Sequence, residues 1–422
     1  MEQDDHRHNS GIITDAQAWI APARLAHYFG GQMALVAQGG GQRGIFTAGV
    51  LDAFLAAQFD PFDAFYGTSA GALNLCAFLC RQPGLGKAFI TDLTTDERFF
   101  HRFRYLRRKQ YLRLDWALEQ IQQPPYQLDI ERGRAVLGKR PAMAALTHAH
   151  SLRDVYRPFM GSNWQQVLLA SCAIPRLCES AVSIDGHPYV DGGVSAAIPV
   201  QEAWRQGNRC IVVIRTEHYD PHTATESTTM ENAVAGDTMQ EHGASGSGLR
   251  SGSAPKVMPF PPTIRSLHPI DPLTNLVQQW LPHRWAQKLD RLRIDWRGLI
   301  QHHLINANDK TGAHTTDRLN GGRWLFGAEQ IYRISSLLGD KFDASLADML
   351  MVHYQTYALT QDFLLMPPDD CFVVQIMPSL PLRSRSLLSS MEDLLHDYEL
   401  GVQAGEQLMA HFCTVSRLSS SE

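Results

Sequence analysis

Short apolar runs that lead into small residues mark the first predicted strands of this chain. Met33–Ala37 has strand length and leads into three glycines, and from Gly44 apolar residues recur at helical spacing. A second predicted strand near residues 62–66 leads into Gly67-Thr68-Ser69-Ala70-Gly71 and then into a helical stretch, Ala72–Cys80. Two successive strand, turn and helix units predict a parallel sheet covered by helices.

Later runs extend this pattern toward the end of the chain. The segment 167–173 is predicted to be a helix that stops before Ile174-Pro175, because the residue before proline avoids the helical region. A hairpin-like segment follows from Ala181 to Asp191-Gly192-Gly193. The segments 210–215 and 371–377 are continuous apolar runs, which are typical of strands buried on two faces.

One stretch between these runs has a different composition. Residues 221–256 contain no aromatic residue and only four large aliphatic ones, with a Gly/Ser-rich part at Gly243–Ser253. Such a segment buries too little apolar area to offset its ordering entropy, so it is predicted to be a disordered insertion. The predicted organisation is therefore an N-terminal extension (1–32), a main core (33–220), the insertion (221–256), and a helical region with a late strand that completes the same domain (257–422).

Composition excludes several classes of protein. Of the 422 residues, 44% are hydrophobic and 19% are charged, as in ordinary globular domains, and the net charge of −5 gives no general footprint for nucleic acid. The seven cysteines form no C-x-x-C pair, which argues against a disulfide framework and a zinc site, and we predict neither metal nor cofactor. The polar, acidic start of the chain lacks the features of a signal peptide, so a cytoplasmic location is expected.

Gly67-Thr68-Ser69-Ala70-Gly71 is a G-x-S-x-G motif between a predicted strand and a predicted helix, the context of a nucleophile elbow. A serine on so tight a turn needs small neighbours, which Gly67, Ala70 and Gly71 supply. Its hydroxyl would then project at the carboxyl end of the sheet. The motif alone fits an ordinary tight turn equally well.

The loop Gly39-Gly40-Gly41-Gln42-Arg43-Gly44 leads into a helix, so several backbone amides without side chains share the positive end of a helix dipole. We predict an anion hole, formed by residues Gly39, Gly40, Gly41, Arg43 and Gly44. Arg43 would either contribute charge to a ligand or brace the loop. The same loop matches G-x-G-x-x-G, but no acidic residue closes the second strand, which argues against dinucleotide binding.

A reactive serine also needs a base. Asp191, which follows an apolar segment and precedes two glycines, is the better candidate, although a lone D-G-G is often only a turn. A Ser-His-Asp triad would require a histidine after the acid, and none of the later histidines lies in an evident turn motif.

Taken in chain order, G-G-G-x-R-G, G-x-S-x-G and D-G-G resemble the patatin-like phospholipases, convincingly over residues 33–215 and less specifically over 345–410, which look like the tail of compact bacterial members. This resemblance implies a three-layer α/β/α fold with a central, mostly parallel sheet. It also implies acyl transfer by a pair of residues, with Ser69 as nucleophile and Asp191 as base, and a lipid ester as the substrate. A non-catalytic lipid-binding member and a triad esterase remain as alternatives.

The segment Arg98–Arg113 mixes seven basic residues with five aromatic ones. Such a mixture suits anionic headgroups at a membrane surface, so peripheral contact with the inner face of the membrane is one interpretation. A solvated cap helix with its aromatic side chains in the core is the other. The absence of any nucleic-acid motif argues against RNA binding.

Overall fold

In a computed structural model of the protein, one mixed sheet runs through the described residues, which are 9–20, 25, 27, 28, 31–101, 111–218 and 344–419. The predicted insertion at 221–256 and residues 102–110 of the basic segment lie outside them. The sheet contains ten strands: β1 Ser10–Ile13, β2 Ala18–Trp19, β3 Met33–Ala37, β4 Ala64–Thr68, β5 Ala142–His148, β6 Asp154–Pro158, β7 Val182–Ile184, β8 His187–Asp191, β9 Cys210–Ile214 and β10 Phe372–Ile376.

The centre of the sheet is parallel and its edges are antiparallel. The strand order is β2-β1-β10-β9-β3-β4-β5-β8-β7, and β6 pairs with β5 off this path. All pairs from β1 across to β5 are parallel, while β2, β6, β7 and β8 join their neighbours in the antiparallel sense. The carboxyl ends of β3 and β4, where the two glycine motifs begin, are therefore adjacent.

Helices cover both faces of the sheet. They are α1 Gly44–Ala56, α2 Ala70–Leu79, α3 Leu85–Ala88, α4 Leu114–Gln120, α5 Ile130–Leu137, α6 Trp164–Ser171, α7 Val200–Arg205, α8 Ala344–Leu365 and α9 Met391–Ser419. Alternate residues of β3 divide between two cores: Leu35 packs with α1, α2 and α9, whereas Val36 packs with α7 and α8. The predicted three-layer α/β/α fold with a central, mostly parallel sheet is confirmed.

Two glycines bring helices α1 and α9 into backbone contact. A Cβ atom on Gly49 would lie 2.2 Å from the Tyr398 carbonyl oxygen, and one on Gly401 would lie 2.1 Å from that of Phe46. Any side chain at either position would push the helices apart. The C-terminal helix is thus packed directly on the helix that follows the glycine loop.

The N-terminal segment contributes to the sheet in a way that the sequence did not predict. Residues 1–32 were expected to be an extension, yet β1 pairs in parallel with β10 and carries β2 on its outer edge. Buried Ile13 joins the larger core. None of the helices in the described ranges combines the length and the apolar character needed to cross a membrane.

Candidate active site

Ser69 lies on a sharp bend between the end of β4 and the start of α2. Its φ of 53° and ψ of −124° are unusual for a residue with a side chain, and such conformations cost about 1–3 kcal/mol. The bend depends on the glycines on either side. A Cβ on Gly71 would lie 2.4 Å from the Ala37 carbonyl oxygen, and one on Gly67 would lie 2.7 Å from the Ala72 nitrogen.

The Ser69 hydroxyl meets the predicted base directly. Ser69 Oγ donates a hydrogen bond to Asp191 Oδ2 at 2.9 Å, and each residue is only 7% exposed. Asp191 ends β8, where Thr147 Oγ1 donates to its carbonyl oxygen at 2.9 Å. Its second carboxylate oxygen, Oδ1, accepts the Gly193 amide at 2.6 Å. Both oxygens of this carboxylate are therefore held in fixed directions.

Burial sets the proton affinity of this carboxylate. Desolvation raises the pKa of Asp191 to about 6, against the opposing effects of the Gly193 amide and the Ser69 hydroxyl, which lower the pKa. At neutral pH the group is mostly ionised, and it is a stronger base than an exposed aspartate. A pKa close to the working pH suits a general base.

The glycine loop lies beside Ser69, but not all of its amides are available. A Cβ on Gly39 would lie 3.4 Å from Ser69 Cβ, yet the Gly39 amide donates to the Ala197 carbonyl oxygen. The amides of Arg43 and Gly44 are likewise used within the turn. Among the described residues, the amides of Gly40 and Gly41 donate no backbone hydrogen bond. The predicted anion hole thus narrows to these two amides.

The positive charge of Arg43 acts on the Glu217 carboxylate. Burial raises the pKa of the Glu217 carboxyl, but the positive charges of Arg215 and Arg43, together with hydrogen bonds from Tyr357 and Arg215, outweigh this effect and the pKa is lowered overall. The two roles that the sequence left open for Arg43, bracing the loop and supplying charge to a ligand, both stay predictions.

Two helix N-termini adjoin at Ser69. Helix α2 begins directly after it, and a Cβ on Gly44, the first residue of α1, would lie 3.0 Å from Ala70 Cβ. The positive ends of the two helix dipoles therefore lie on the same side of the sheet. A developing negative charge near Ser69 would be stabilised there.

Ser171 is a site residue that the motifs did not identify. Its hydroxyl accepts the Ser69 amide at 2.9 Å and donates to the Ala145 carbonyl oxygen at 2.7 Å, and the side chain is fully buried. Ser171 thereby ties the bend to β5. A serine near the end of an apolar helix gives no sequence signal of such a role.

An apolar cavity adjoins Ser69. Ser69 and Gly41 are part of its lining, and most of the other lining residues are aliphatic or aromatic. The apolar lining residues include Leu73, Phe89, Ile90, Phe99, Leu112 and Leu387. This lining could accept a hydrocarbon chain whose carboxyl carbon lies at the serine.

The histidines do not complete a triad here. Among the described residues, no histidine hydrogen-bonds to Ser69 or Asp191, and His353 contacts the neighbouring Gly193 carbonyl oxygen instead. In the same ranges, no group of three or more histidine, cysteine or acidic side chains is arranged to hold a metal ion. The groups that the described residues bring together at Ser69 are a hydroxyl, a carboxylate and backbone amides.

Comparisons with known proteins agree with these features. The family model "Patatin-like phospholipase" matches residues 35–204, and a model described as a domain of unknown function, DUF6363, matches residues 343–415. An uncharacterised protein of Escherichia coli K12, YjjU, is 48% identical over 198 residues, which cover 47% of this chain and 55% of that protein. The chain thus spans about half the length of the curated relative that it matches.

Among solved structures, VipD from Legionella pneumophila aligns with 14% identity over 52% of this chain and 57% of that one, with a TM-score of 0.26. That score is too low to bear on fold or function. The family model encloses both glycine motifs, Ser69 and Asp191. Residues 35–204 of the chain therefore match the patatin-like phospholipase family.

Proposed function

We propose that this protein is a serine acyl hydrolase that cleaves carboxylic esters of lipids, phospholipids or lysophospholipids, through an acyl-Ser69 intermediate. The observation that carries the proposal is the 2.9 Å hydrogen bond from Ser69 Oγ to Asp191 Oδ2, at a bend beside the glycine loop. The patatin-like domain supports lipid acyl hydrolysis in general. The direct contact between the two side chains favours a Ser-Asp pair over a Ser-His-Asp triad.

In the proposed first half-reaction, Ser69 Oγ attacks the ester carbonyl carbon while its proton passes to Asp191. The negative charge that forms on the carbonyl oxygen is stabilised by the Gly40 and Gly41 amides and by the N-termini of α1 and α2. The tetrahedral intermediate collapses, the bond to the alcohol oxygen breaks, and the alcohol leaves with the proton from Asp191. The acyl group is then esterified to Ser69.

In the second half-reaction, Asp191 takes a proton from a water molecule that attacks the acyl-Ser69 carbonyl. Collapse of the second intermediate breaks the bond to Oγ and returns the proton to Ser69. A carboxylic acid is released. The apolar cavity supports a lipid acyl chain as the group transferred, because its lining offers few polar partners.

Hydrolysis of a p-nitrophenyl acyl ester tests this function. We expect turnover by the wild type and a loss of at least about 10³-fold in Ser69→Ala, because the nucleophile is removed. Ser151→Ala is the matched control, since that serine is exposed and hydrogen-bonds the nearby His148. Retained turnover in a folded Ser69→Ala variant would refute the proposal. Binding of lipid vesicles without any turnover by the wild type would favour the non-catalytic alternative.

We further propose peripheral contact with a membrane surface through the Arg98–Arg113 segment, from a cytoplasmic location. Phe99 and Leu112 of this segment are buried in the cavity wall, whereas Tyr111 is exposed. Arg98 packs over the Trp116 ring and pairs with Asp96. We expect the protein to sediment with anionic vesicles, and to do so less with zwitterionic vesicles or at high salt. If the protein stays in the supernatant with both vesicle types, this contact is contradicted.

A further inference from the structure

Helix α8 contacts the loop that holds the base. His353 Nδ1 lies 2.5 Å from the Gly193 carbonyl oxygen, and because a carbonyl only accepts, Nδ1 is the donor. Gly193 is also the residue whose amide holds Asp191 Oδ1 at 2.6 Å. One histidine therefore fixes the glycine that orients the catalytic carboxylate, from a helix far away in the sequence.

A second contact of α8 reaches the glycine loop. One turn after His353, Tyr357 stacks on the imidazole with 5.8 Å between ring centroids, and its hydroxyl donates to Glu217 Oε2. The other carboxylate oxygen, Oε1, accepts the Gln38 side-chain amide at 2.8 Å, and Arg215 pairs with the carboxylate at 3.0 Å. Gln38 immediately precedes the three glycines, so this chain of contacts anchors the start of their loop.

The segment before α9 holds the same loop from a second direction. The Gln42 amide donates to the Ser386 carbonyl oxygen at 2.9 Å, and the Ser389 amide donates to Gln42 Oε1 at 2.8 Å. The fit is close enough that a Cβ on Gly41 would lie 2.3 Å from the Ser386 carbonyl oxygen. Residues 343–415 thus contact both loops of the site, although they lie outside the patatin-like match.

We propose that residues 343–415, whose family model carries no assigned function, are a positioning module for the active site, and that His353 is the positioning residue for Asp191. This inference rests on the proposed hydrolase function. It assigns a role in the site to a C-terminal segment that lies outside the three motifs of the core. Within the described part of the chain His353 hydrogen-bonds neither Ser69 nor the Asp191 carboxylate, so it acts on that carboxylate through Gly193.

The test compares His353→Phe with His353→Asn. Phenylalanine keeps a ring against Tyr357 but removes the donor, whereas the asparagine side-chain amide puts a donor close to the position of Nδ1. We expect kcat of the phenylalanine variant to fall about 10²-fold with little change in KM, because a small misplacement of a catalytic group has an effect of this size. The asparagine variant should stay within about threefold of the wild type.

The pH profile separates positioning from a loss of folded protein. Because the Gly193 amide lowers the pKa of Asp191, loosening that amide should move the acidic limb of kcat/KM to higher pH in His353→Phe and not in His353→Asn. Cys172 and Cys178 lie near Asp191, and Glu217 and Tyr357 lie near His353; none of these four changes in either variant. A smaller folded fraction would lower activity without moving the limb.

Hydrogen exchange of the peptide that covers residues 189–196 gives a readout that does not require turnover. Faster exchange is expected in His353→Phe than in the wild type or His353→Asn. The proposal is overturned if the phenylalanine variant has the same activity, the same acidic limb and the same exchange rate as the wild type. It is also overturned if the phenylalanine and asparagine variants are equally impaired. If the wild type hydrolyses no ester, the proposed function fails, while the exchange comparison still decides the positioning role.

Should His353→Phe fail to fold, His353→Gln takes its place. Glutamine carries the same amide as asparagine but one carbon further from the backbone, so its donor is displaced from the Gly193 carbonyl oxygen. The same loss in kcat and the same shift of the acidic limb are expected. A glutamine variant indistinguishable from asparagine in both readouts would contradict the proposed geometry.

Discussion

Replacing Asp191 by asparagine should abolish activity and stabilise the fold at neutral pH. Burial raises the pKa of Asp191 from 3.8 to about 6, so the folded protein holds its proton more tightly than the unfolded chain does. The ionised carboxylate therefore destabilises the folded state. This destabilisation is absent well below pH 4, develops as pH rises through the unfolded pKa, and is complete above pH 6.

The size of the effect follows from the shift. A change of about 2.2 pKa units corresponds to about 3 kcal/mol of lost stability at pH 8. About half of that loss develops between pH 5 and pH 8, since the unfolded carboxyl is already ionised at pH 5. Asparagine presents an uncharged amide of the same shape and can still accept the Gly193 amide, so the variant avoids this loss.

Urea unfolding of the wild type and Asp191→Asn at pH 5 and pH 8 measures the difference. The free energy of unfolding of the variant should exceed that of the wild type by a margin that grows by about 1–1.5 kcal/mol between the two pH values. In parallel, kcat/KM of the wild type should fall below about pH 6 as the base is protonated. A margin that does not change with pH would refute the claim that a desolvated carboxylate sets the proton affinity of the site.

The remaining predictions concern the bend and the cavity. In Ser171→Ala, the buried Ser69 amide loses its acceptor, so we expect a loss of about 1–3 kcal/mol in urea unfolding together with a reduced kcat; an unchanged free energy of unfolding would contradict the role assigned to Ser171. In Leu73→Trp, the larger side chain narrows the cavity one turn of α2 beyond Ser69. It should lower kcat/KM for decanoyl esters by about tenfold or more and spare acetyl esters, and equal effects on both chain lengths would show that acyl chains bind elsewhere.

The elements around the glycine motifs could be predicted because their signals are local. Met33–Ala37 is a strand with the bounds that its apolar run suggested, and α1 begins at Gly44, where the helical spacing begins. Both of these predictions needed only neighbouring residues. The pairing of Ser69 with Asp191 rested instead on the resemblance of the three motifs to the patatin-like phospholipases, because Asp191 ends an antiparallel strand whose position no local pattern fixes.

The remaining features depend on contacts between distant parts of the chain. Strand β1 has only four residues, and its partner β10 lies more than 350 residues further on, so no local pattern distinguishes it from an irregular segment. Ser171 and His353 act through single hydrogen bonds that need the folded backbone. The glycine loop also needed the folded structure. The Gly39 amide is not available to the predicted anion hole because it donates to the Ala197 carbonyl oxygen, a contact that the sequence does not reveal.

Covalent labelling with a fluorophosphonate shows whether Asp191 activates the Ser69 hydroxyl, once mass spectrometry has identified the modified residue. We expect one adduct, on Ser69, formed more slowly below about pH 6 and lost in Asp191→Asn. An adduct on another residue, or labelling of Ser69 at an unchanged rate in Asp191→Asn, would contradict it.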